Sequence, residues 1–497
     1  MITFLCCITF LIAGFFTYGR FVEKRLFHAK PSRETPCFRM RDGVDYEPMK
    51  TWRVYIIQFL NIAGLGPILG AILGAAYGPM AYLWITLGCV FMGAAHDYFS
   101  GMMSIRANGR SMPVVVGQYL GRGARKFMNV FLAFTLICVG CSFVTGPADL
   151  LNSMLPVSKL FWVIVIFAYY ILATLLPINK IIGKIYPFFG LLLLFMALAV
   201  GGAMIVRHVG GNLPMLELSA DSFRNYHSQP DKFILFPMMF VVISCGAISG
   251  FHSTQSPMMA RCIQNEKHGR TVFYGAMITE GIVAMIWATA AINYFGGPAG
   301  LNAAASDGNT PAIIVNTLCN EWLGKVGAVI AILGVVICPI TSGDTAFRSL
   351  RLMLGDVMKV NQSPVRNRLV LALPVFLVAA ILCMADFSVL WNYVGICNQA
   401  VATVMLWTFA KYLSKSLKHL FFSIPATFLT YVCVSYFLIA PHVNGGLALN
   451  PVIGYVVAGV ATIAAFATFG HYSYRRRKAK NRRRLIAERK LLQGETK

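Results

Sequence analysis

The sequence predicts an all-α polytopic membrane protein, and three observations support this fold class. Of its 497 residues, 57% are hydrophobic and only 12% are charged, whereas soluble proteins average about 25% charged residues. Apolar runs near the length of about 20 residues that a bilayer-spanning helix needs recur along the chain. Basic residues gather in alternate connections between these runs, the distribution that is typical of cytoplasmic loops.

We predict about thirteen membrane spans from these runs. A periodic stretch at 303–322 is too polar to span. The predicted spans lie at 2–18, 54–76, 80–103, 127–148, 159–176, 186–206, 233–256, 272–292, 326–348, 368–386, 389–412, 419–440 and 450–470. We expect the first to be a span and not a cleaved signal peptide, because it lacks a basic start and a small-residue cleavage site.

The positions of basic residues predict the orientation. They follow the odd-numbered spans, as with Arg106 after the third and Lys411 after the eleventh, while the even-numbered connections are poor in charge. The N-terminus is therefore predicted outside and the C-terminus in the cytoplasm. The net charge of +24 includes a dense tail beginning at Arg475. This tail could be a nucleic-acid arm, but its position directly after a span favours anionic membrane lipid, so we expect no nucleic-acid partner.

Two apolar segments are interrupted by glycine, proline and polar residues, one at Asn61–Pro67 and one at Ser244–Pro257. Unwound backbone at membrane depth is tolerated only where protein or water satisfies it, so paired breaks predict a substrate site near the midplane. The alternative is that the glycines only allow close helix packing. The candidate substrate-binding residues are Asn61, Gly64, Gly66, Pro67, Gly246, Ser249, Gly250, Phe251, His252 and Ser253.

The two broken spans are predicted to run in opposite directions, and each opens a block of five spans. This arrangement predicts the inverted 5+5 repeat of LeuT-like transporters, with extra helices at both ends. The corresponding parts are an N-terminal helix (1–20), a basic cytoplasmic connection (21–53), the first repeat (54–206), a periplasmic loop (207–232), the second repeat (233–412), two further helices (413–470) and a cytoplasmic tail (471–497).

The ninth span carries a polar cluster that predicts an ion-coupling site, formed by Thr341, Ser342, Asp344 and Thr345. A carboxylate in hydrocarbon is costly and usually marks an ion path. The alternative is that Asp344 sits at the cytoplasmic interface, paired with Arg348 four residues later.

Other ionisable residues fall within spans. Glu280, half-way along the eighth span, is the best candidate for a proton-carrying carboxylate. His252 could bind substrate, titrate, or be a structural histidine. His96 and Asp97 could be hydrogen-bonded near the interface or supply two ligands of a metal site, with zinc as the candidate metal. The thirteen cysteines fall mostly within spans and imply no disulfide framework.

Several ordered motifs resemble the carbon starvation protein A family of membrane transporters. They extend from about residue 18 to about residue 400 and comprise Asp42–Tyr46, Asn61–Pro67, Gly93–Tyr98, Leu176–Lys180, Cys245–His252 and Thr341–Thr345. The chain departs from larger members at Ile57-Gln58, where they have a His-rich start to the broken helix, and at His96, where they often have Gln.

The resemblance implies a multi-pass protein of the bacterial inner membrane that takes up peptides or, in some members, pyruvate. We interpret the chain as a secondary active transporter, not an enzyme, that imports short peptides or a small carboxylate with protons or sodium as the coupling ion. It lacks the G-x-x-x-x-G-K-[ST] motif of an ATP-driven pump. A membrane sensor or scaffold on the same fold is the main alternative, and an ion channel or an intramembrane enzyme is less favoured. The oligomeric state is left open.

Overall fold

Helices make up most of the part of the chain that the computed structural model describes, residues 1–175, 178–384 and 387–492. Leu176 and Pro177 of the predicted family motif lie outside the described residues. The α-helices of the described part are α1 (Ile2–Phe16), α2 (Tyr18–Phe21), α3 (Pro36–Arg39), α4 (Thr51–Ala63), α5 (Ala71–Ala75), α6 (Met80–Gly88), α7 (Ala94–Arg106), α8 (Met112–Leu120), α9 (Arg122–Met154), α10 (Lys159–Leu175), α11 (Ile178–Val209), α12 (Leu235–Val242), α13 (His252–Ala260), α14 (Gly275–Tyr294), α15 (Pro298–Ser306), α16 (Pro311–Met358), α17 (Val365–Leu382), α18 (Phe387–Leu413), α19 (Leu420–Ile439) and α20 (Pro451–Leu492).

Eight helical segments in the described residues are long and apolar enough to cross a membrane, and the bent pair Thr51–Ala63 and Gly66–Ala75 makes nine. The protein is therefore a multi-pass helical membrane protein, whereas the predicted count of thirteen spans is not confirmed. Two of the other predicted spans show why. The predicted span at 159–176 yields a shorter apolar helix, Lys159–Thr174, and the one at 233–256 is divided between α12 and α13.

The first predicted break is present. Helix α4 ends at Ala63 because Gly64 adopts φ 36° and ψ −132°, a left-handed conformation that favours glycine. A π-helical turn, Gly66–Gly70, follows, with Pro67 in its first turn, where the missing N–H is tolerated. The helical axis bends by 51° across this point.

The second predicted break separates α12 from α13 by the non-helical segment 243–251. Gly246 within it has φ 88°. Side chains from neighbouring helices satisfy backbone carbonyls here: Trp84 Nε1 donates to Ile243 O at 3.0 Å, and Gln399 Nε2 donates to Phe240 O at 2.7 Å. Such bonds stabilise unwound backbone away from water.

The two breaks pack against each other. A Cβ atom on Gly66 would lie 2.3 Å from Cys245 Sγ, so only glycine allows this approach of the chains. Gly250 N donates to Asn398 O of α18 at 3.0 Å. Helix α14 packs along α4 and α5, and α16 packs along α4 and α9. The long helices therefore enclose both breaks.

The predicted basic connection 21–53 is folded against the helix ends. Met49 N donates to Cys262 O at 3.0 Å, just after α13, and Tyr46 OH donates to Asn108 O at 2.9 Å, just after α7. Asp45 within this connection is 2% exposed. The connection thus covers one mouth of the helix assembly, which the predicted orientation places in the cytoplasm.

Asp45 is surrounded by buried guanidinium groups. Its Oδ1 lies 3.6 Å from Arg348 Nη1 and 3.5 Å from Arg351 Nη2. Burial alone would raise the pKa of Asp45, but Arg351, Arg348 and Arg261 together hold it below its ordinary value. The arginine cluster, as we name it, comprises Asp45, Arg261, Arg348, Arg351 and Arg368.

Loop 207–232 lies at the opposite mouth. Tyr226 N donates to Tyr77 O at 3.2 Å, and Asn302 Nδ2 of α15 donates to Tyr226 O at 2.9 Å and to Ala76 O at 2.8 Å. The polar stretch 303–322, predicted not to span, lies in α15 and in the part of α16 before its kink at Gly324. Short helices and this loop therefore close the end at which a cavity is found.

Candidate functional site

Four buried ionisable side chains meet beside the second break. His252, the first residue of α13, points its Nδ1 at Asp97 Oδ2 of α7 at 2.9 Å and its Nε2 at Glu280 Oε2 of α14 at 3.3 Å. His96 Nδ1 lies 2.8 Å from Asp97 Oδ1. All four side chains have 0% exposure. Together with Cys245 they form what we name the central cluster.

Glu280 also supports the unwound backbone. Its Oε1 accepts a hydrogen bond from Gly246 N at 3.0 Å, in the middle of the break. Its Oε2 and His252 Nε2 have no hydrogen-bond partner among the described residues, although they face each other. One carboxylate oxygen thus fixes the break, while the other faces the imidazole.

The structure groups metal-capable donors differently from the predicted pair His96 and Asp97. Ligand atoms of Cys245, His252 and Glu280 lie within 4.8 Å of one another. Asp97 instead bonds both neighbouring histidines, so it orients His252 from behind. The sequence separations conceal this grouping, because α14 and the break are brought together only by folding.

The predicted hydroxyl cluster lies against the first break. Ser342 Oγ donates to Leu60 O at 3.0 Å, one turn before Gly64. A Cβ on Gly64 would lie 3.4 Å from that hydroxyl. Thr345 Oγ1 donates to Ser342 O at 2.9 Å, and Thr341 Oγ1 donates to Cys338 O at 2.8 Å. Oxygen atoms from α4 and α16 are therefore close together where the first helix unwinds.

Asp344 faces a different neighbour. Tyr186 OH of α11 donates to Asp344 Oδ2 at 2.6 Å, and the carboxylate is 2% exposed. Arg348, the partner considered from the sequence, interacts electrostatically with Asp344. It also forms an ion pair with Asp45 at 3.6 Å and donates to Ala173 O at 2.8 Å. Sequence reasoning missed Tyr186, which no motif distinguishes from the other tyrosines of the apolar helices.

A cavity of about 180 Å³ lies between the two breaks and loop 207–232. Gly66 and Cys245 line its inner end, and Asn398 of α18 lines its wall. His227 packs between two aromatic rings, with its centroid 4.9 Å from that of Tyr77, and lines the end toward the loop. A small-molecule site between broken helices has this position, so the cavity is the candidate substrate site.

Of the ten predicted substrate residues, one lines this cavity. It is Gly66, whereas Phe251, His252 and Ser253 lie deeper, with Ser253 Oγ donating to Gly250 O at 2.7 Å. Asn61 and Ser249 are fully buried, and their side-chain polar atoms have no hydrogen-bond partner among the described residues. The remaining predicted substrate residues shape the backbone: Gly64, Pro67, Gly246 and Gly250.

Sequence reasoning missed two polar side chains near the breaks. Asn398 lines the cavity, and its backbone carbonyl accepts the hydrogen bond from Gly250 N. Gln58 is fully buried one turn before Ile62, with neither amide atom hydrogen-bonded among the described residues. For both residues, a side-chain amide within an apolar run was the sequence feature that could have identified them.

Comparison with known proteins identifies the family. The model of the family described as carbon starvation protein CstA matches residues 1–146 and 144–309. The chain belongs to the carbon starvation protein CstA family. Members of the CstA family are named as transporters, so this chain is a membrane protein of a transporter family and not of an enzyme family.

Individual CstA-family relatives differ in what is known of them. An uncharacterized membrane protein of Haemophilus influenzae is 43% identical, over 62% of this chain and 95% of that protein. The peptide transporter CstA of Campylobacter jejuni is 25% identical over 55% of this chain and 47% of its own length. The pyruvate/proton symporter BtsT of Escherichia coli is 25% identical over 55% of this chain and 46% of its own length. The alignments thus cover about half the length of these two named transporters.

A solved structure shares the fold. It is a mutant of the manganese transporter of Eremococcus coleocola, with a TM-score of 0.53 at 11% identity, over 86% of this chain and 94% of that one. At this identity the likeness concerns the fold alone. It agrees with the helical, transporter-like architecture that the sequence predicts.

Proposed function

We propose that this protein is a secondary active transporter that imports a small carboxylate, of pyruvate or short-peptide type, across the bacterial inner membrane by alternating access. The observation that carries the proposal is the cavity at which two broken helices meet, since unwound backbone at membrane depth is the usual construction of a transporter site. The names of the relatives, a peptide transporter and a pyruvate/proton symporter, support the substrate class.

We propose the LeuT-like 5+5 arrangement as the frame for this movement. Helices α4–α11 would form the first repeat and α12–α18 the second, and each begins with a broken helix. The connection 21–53 and the tail 471–497 would lie in the cytoplasm, and the cavity would open outward. Rocking of the broken helices against their neighbours would then expose the site to either side in turn.

The size of the cavity favours the smaller substrates. A cavity of about 150 Å³ can hold benzene, so a cavity of about 180 Å³ suits a molecule of similar size, such as pyruvate. Asn398 and the unwound backbone around Cys245 supply polar groups at the cavity wall. Pyruvate-sized carboxylates fit this conformation, whereas a tripeptide would require the cavity to widen.

We propose protons as the coupling ion, with Asp344 as the carboxylate that carries them. Asp344 is buried and hydrogen-bonded to Tyr186, with hydroxyls of the same helix at the first break. Glu280 contributes by holding Gly246 of the second break. Sodium is the alternative, because Ser342 Oγ and Leu60 O are oxygen atoms of the kind that alkali cations bind.

Uptake of labelled pyruvate, dipeptide and tripeptide into proteoliposomes tests the proposal, under an imposed proton gradient or an imposed sodium gradient. We expect proton-driven pyruvate uptake that falls at least tenfold in Asp344→Asn. Asp307→Asn, an exposed carboxylate between α15 and α16, is the matched control and should transport normally. Absence of gradient-driven uptake of every substrate would overturn the transporter proposal and favour the sensor or scaffold.

A further inference from the structure

The central cluster brings three metal-capable donors together from two parts of the fold. Cys245 lies within the unwound segment of the second break, His252 follows that segment as the first residue of α13, and Glu280 comes from α14. Their Sγ, imidazole nitrogen and carboxylate oxygen atoms all lie within 4.8 Å of one another. A thiolate, an imidazole and a carboxylate form a ligand set of the zinc type.

Asp97 prepares His252 for this role. It lies 2.9 Å from His252 Nδ1 on the side away from Glu280. When that nitrogen donates its proton to the carboxylate, Nε2 is left with a lone pair directed at Glu280. A histidine that ligates a metal commonly donates its other N–H to a carboxylate in this way, which fixes both tautomer and ring orientation.

The facing atoms provide an independent sign of a cation. His252 Nε2 and Glu280 Oε2 are buried, 3.3 Å apart, and without hydrogen-bond partners among the described residues. Two lone pairs at this distance repel unless a proton or metal ion lies between them. Two ligands about 2.0–2.1 Å from a tetrahedral zinc ion are themselves roughly 3.4 Å apart, close to the observed separation.

A path to these donors is present. Cys245 lines the cavity between the breaks, together with Ser244 and Gly66. An ion can therefore reach the thiol from the cavity without crossing the packed helices, and a fourth ligand, water or a substrate carboxylate, can approach from the same side. An accessible coordination position is typical of zinc sites that bind a further ligand.

We propose that Cys245 Sγ, His252 Nε2 and Glu280 Oε2 bind one divalent transition-metal ion of the zinc type, with Asp97 as a positioning residue. The bound ion joins the second break to α14, two elements that the alternating-access movement must shift relative to each other. Metal occupancy therefore slows uptake and stabilises the conformation seen here. This regulatory effect rests on the proposed transport function, whereas metal binding itself does not.

Cobalt(II) binding to the purified full chain in detergent tests the site. After chelator treatment, we expect one cobalt ion per chain with a thiolate-to-metal charge-transfer absorption, displaced by zinc. Cys245→Ser should abolish that absorption. Cys338→Ser, which alters a buried cysteine of α16 outside the cluster, is the matched control and should retain it.

Variants of the two carboxylates distinguish the proposed ligand, Glu280, from the proposed positioning residue, Asp97. Glu280→Gln should keep the thiolate absorption but weaken cobalt binding at least tenfold, and Asp97→Asn should weaken it by about 10–100-fold, the range measured for partners of ligating histidines. Thermal unfolding first shows whether each variant is folded. If a carboxylate variant does not fold, the conservative change Cys245→Ser still tests the metal site.

Two results would overturn the proposal. One is the absence of stoichiometric cobalt or zinc binding, which would leave a proton as the ion between His252 and Glu280. The other is a thiolate absorption that survives in Cys245→Ser. Metal binding without any gradient-driven uptake would instead contradict only the proposed transport function, so the two failures are distinguishable.

Discussion

The central cluster and the arginine cluster are both buried, but they carry opposite excess charge. In the central cluster the carboxylates of Asp97 and Glu280 face histidines, with His252 between them. In the arginine cluster a single carboxylate, Asp45, faces several guanidinium groups. One cluster lies beside a broken helix, and the other lies where the connection 21–53 covers the helix ends.

This difference in chemistry means that the central cluster can exchange ions, whereas the arginine cluster cannot. Guanidinium groups remain protonated in proteins, so they need permanent acceptors. Backbone carbonyls supply two of these, since Arg261 donates to Gly109 O at 2.8 Å and Arg348 to Ala173 O at 2.8 Å, and the Gln362 side chain supplies another to Arg351 at 2.6 Å. Imidazole and carboxylate can release or take up a proton or a metal. The arginine cluster is therefore suited to hold structure and the central cluster to change state.

Asp45→Asn gives the largest expected effect on stability. The change removes the carboxylate that forms ion pairs with Arg348 and Arg351 and leaves both guanidinium groups buried. Breaking a buried ion pair by removing one partner costs about 3–5 kcal/mol, and we expect a loss of this size in the free energy of unfolding, measured by denaturant or thermal unfolding in detergent.

Two further carboxylate-to-amide substitutions, Glu47→Gln and Glu280→Gln, are the controls for the stability loss expected in Asp45→Asn. Glu47→Gln alters a carboxylate that pairs with the exposed Arg41 at 3.4 Å, and it should cost no more than about 1 kcal/mol. Glu280→Gln should also cost less than Asp45→Asn, because an amide oxygen can still accept from Gly246 N and one negative charge is removed from an acid-rich cluster. Equal losses in Asp45→Asn and Glu280→Gln would contradict the division of roles.

Gly250→Ala tests the backbone beside the central cluster. A Cβ atom there would lie 2.4 Å from Asn398 O and 2.6 Å from Ala402 N. Since backbone atoms must shift, we expect a loss of about 1–3 kcal/mol in unfolding free energy and a fall in pyruvate uptake of at least tenfold. Gly202→Ala, where a Cβ atom would have no neighbour within 4 Å, is the control. Normal uptake by Gly250→Ala would show that this contact is not needed for transport.

Much of the fold was predictable because it depends on local pattern. The apolar runs predicted the long helices, and Gly64, Gly66 and Gly246 predicted both breaks, since backbone at these positions needs conformations or close approaches that glycine permits. The exact number of spans was not predictable, because a hydropathy run such as 159–176 does not reveal how long a helix it forms, and here that helix is only Lys159–Thr174.

The candidate site was predictable by residue but not by grouping. Glu280, His252, His96 and Asp97 stood out as ionisable residues in apolar sequence. Their meeting depends on how α7, α13 and α14 pack, which no spacing along the chain encodes. For the same reason the Asp344 partner, Tyr186, and the cavity lining by Asn398 emerged only from the fold.

Ser342→Ala tests the first break, and we expect a smaller effect than that of Gly250→Ala. It removes the hydroxyl that donates to Leu60 O, and a hydrogen bond of this kind contributes about 0.5–1.5 kcal/mol. We expect that loss in unfolding free energy, with a several-fold change in the concentration of coupling cation needed for half-maximal uptake. Thr341→Val is the comparison, because Thr341 bonds a carbonyl of its own helix. Equal shifts in cation dependence for both variants would argue against a special role for Ser342.

His227→Gln gives the smallest expected effect and tests pH dependence at the outer end of the cavity. The ring packs at a tilt against Tyr77 and Phe233, and its Nδ1 accepts a hydrogen bond from Gln229 N at 3.1 Å. Burial lowers the pKa of His227 below its ordinary value of 6.5.

Because the folded-state pKa of His227 is depressed, the unfolded chain binds more protons between that pKa and about 6.5. This contribution to stability is therefore present above about pH 6.5 and is lost as the pH falls through the window below it. We expect wild type to lose under about 1 kcal/mol more than His227→Gln between pH 7.5 and 5.5, since the ring is only partly buried. His471→Gln, an exposed histidine of α20, is the control. An identical pH dependence in wild type and His227→Gln would show that protonation of His227 does not destabilise this end of the cavity.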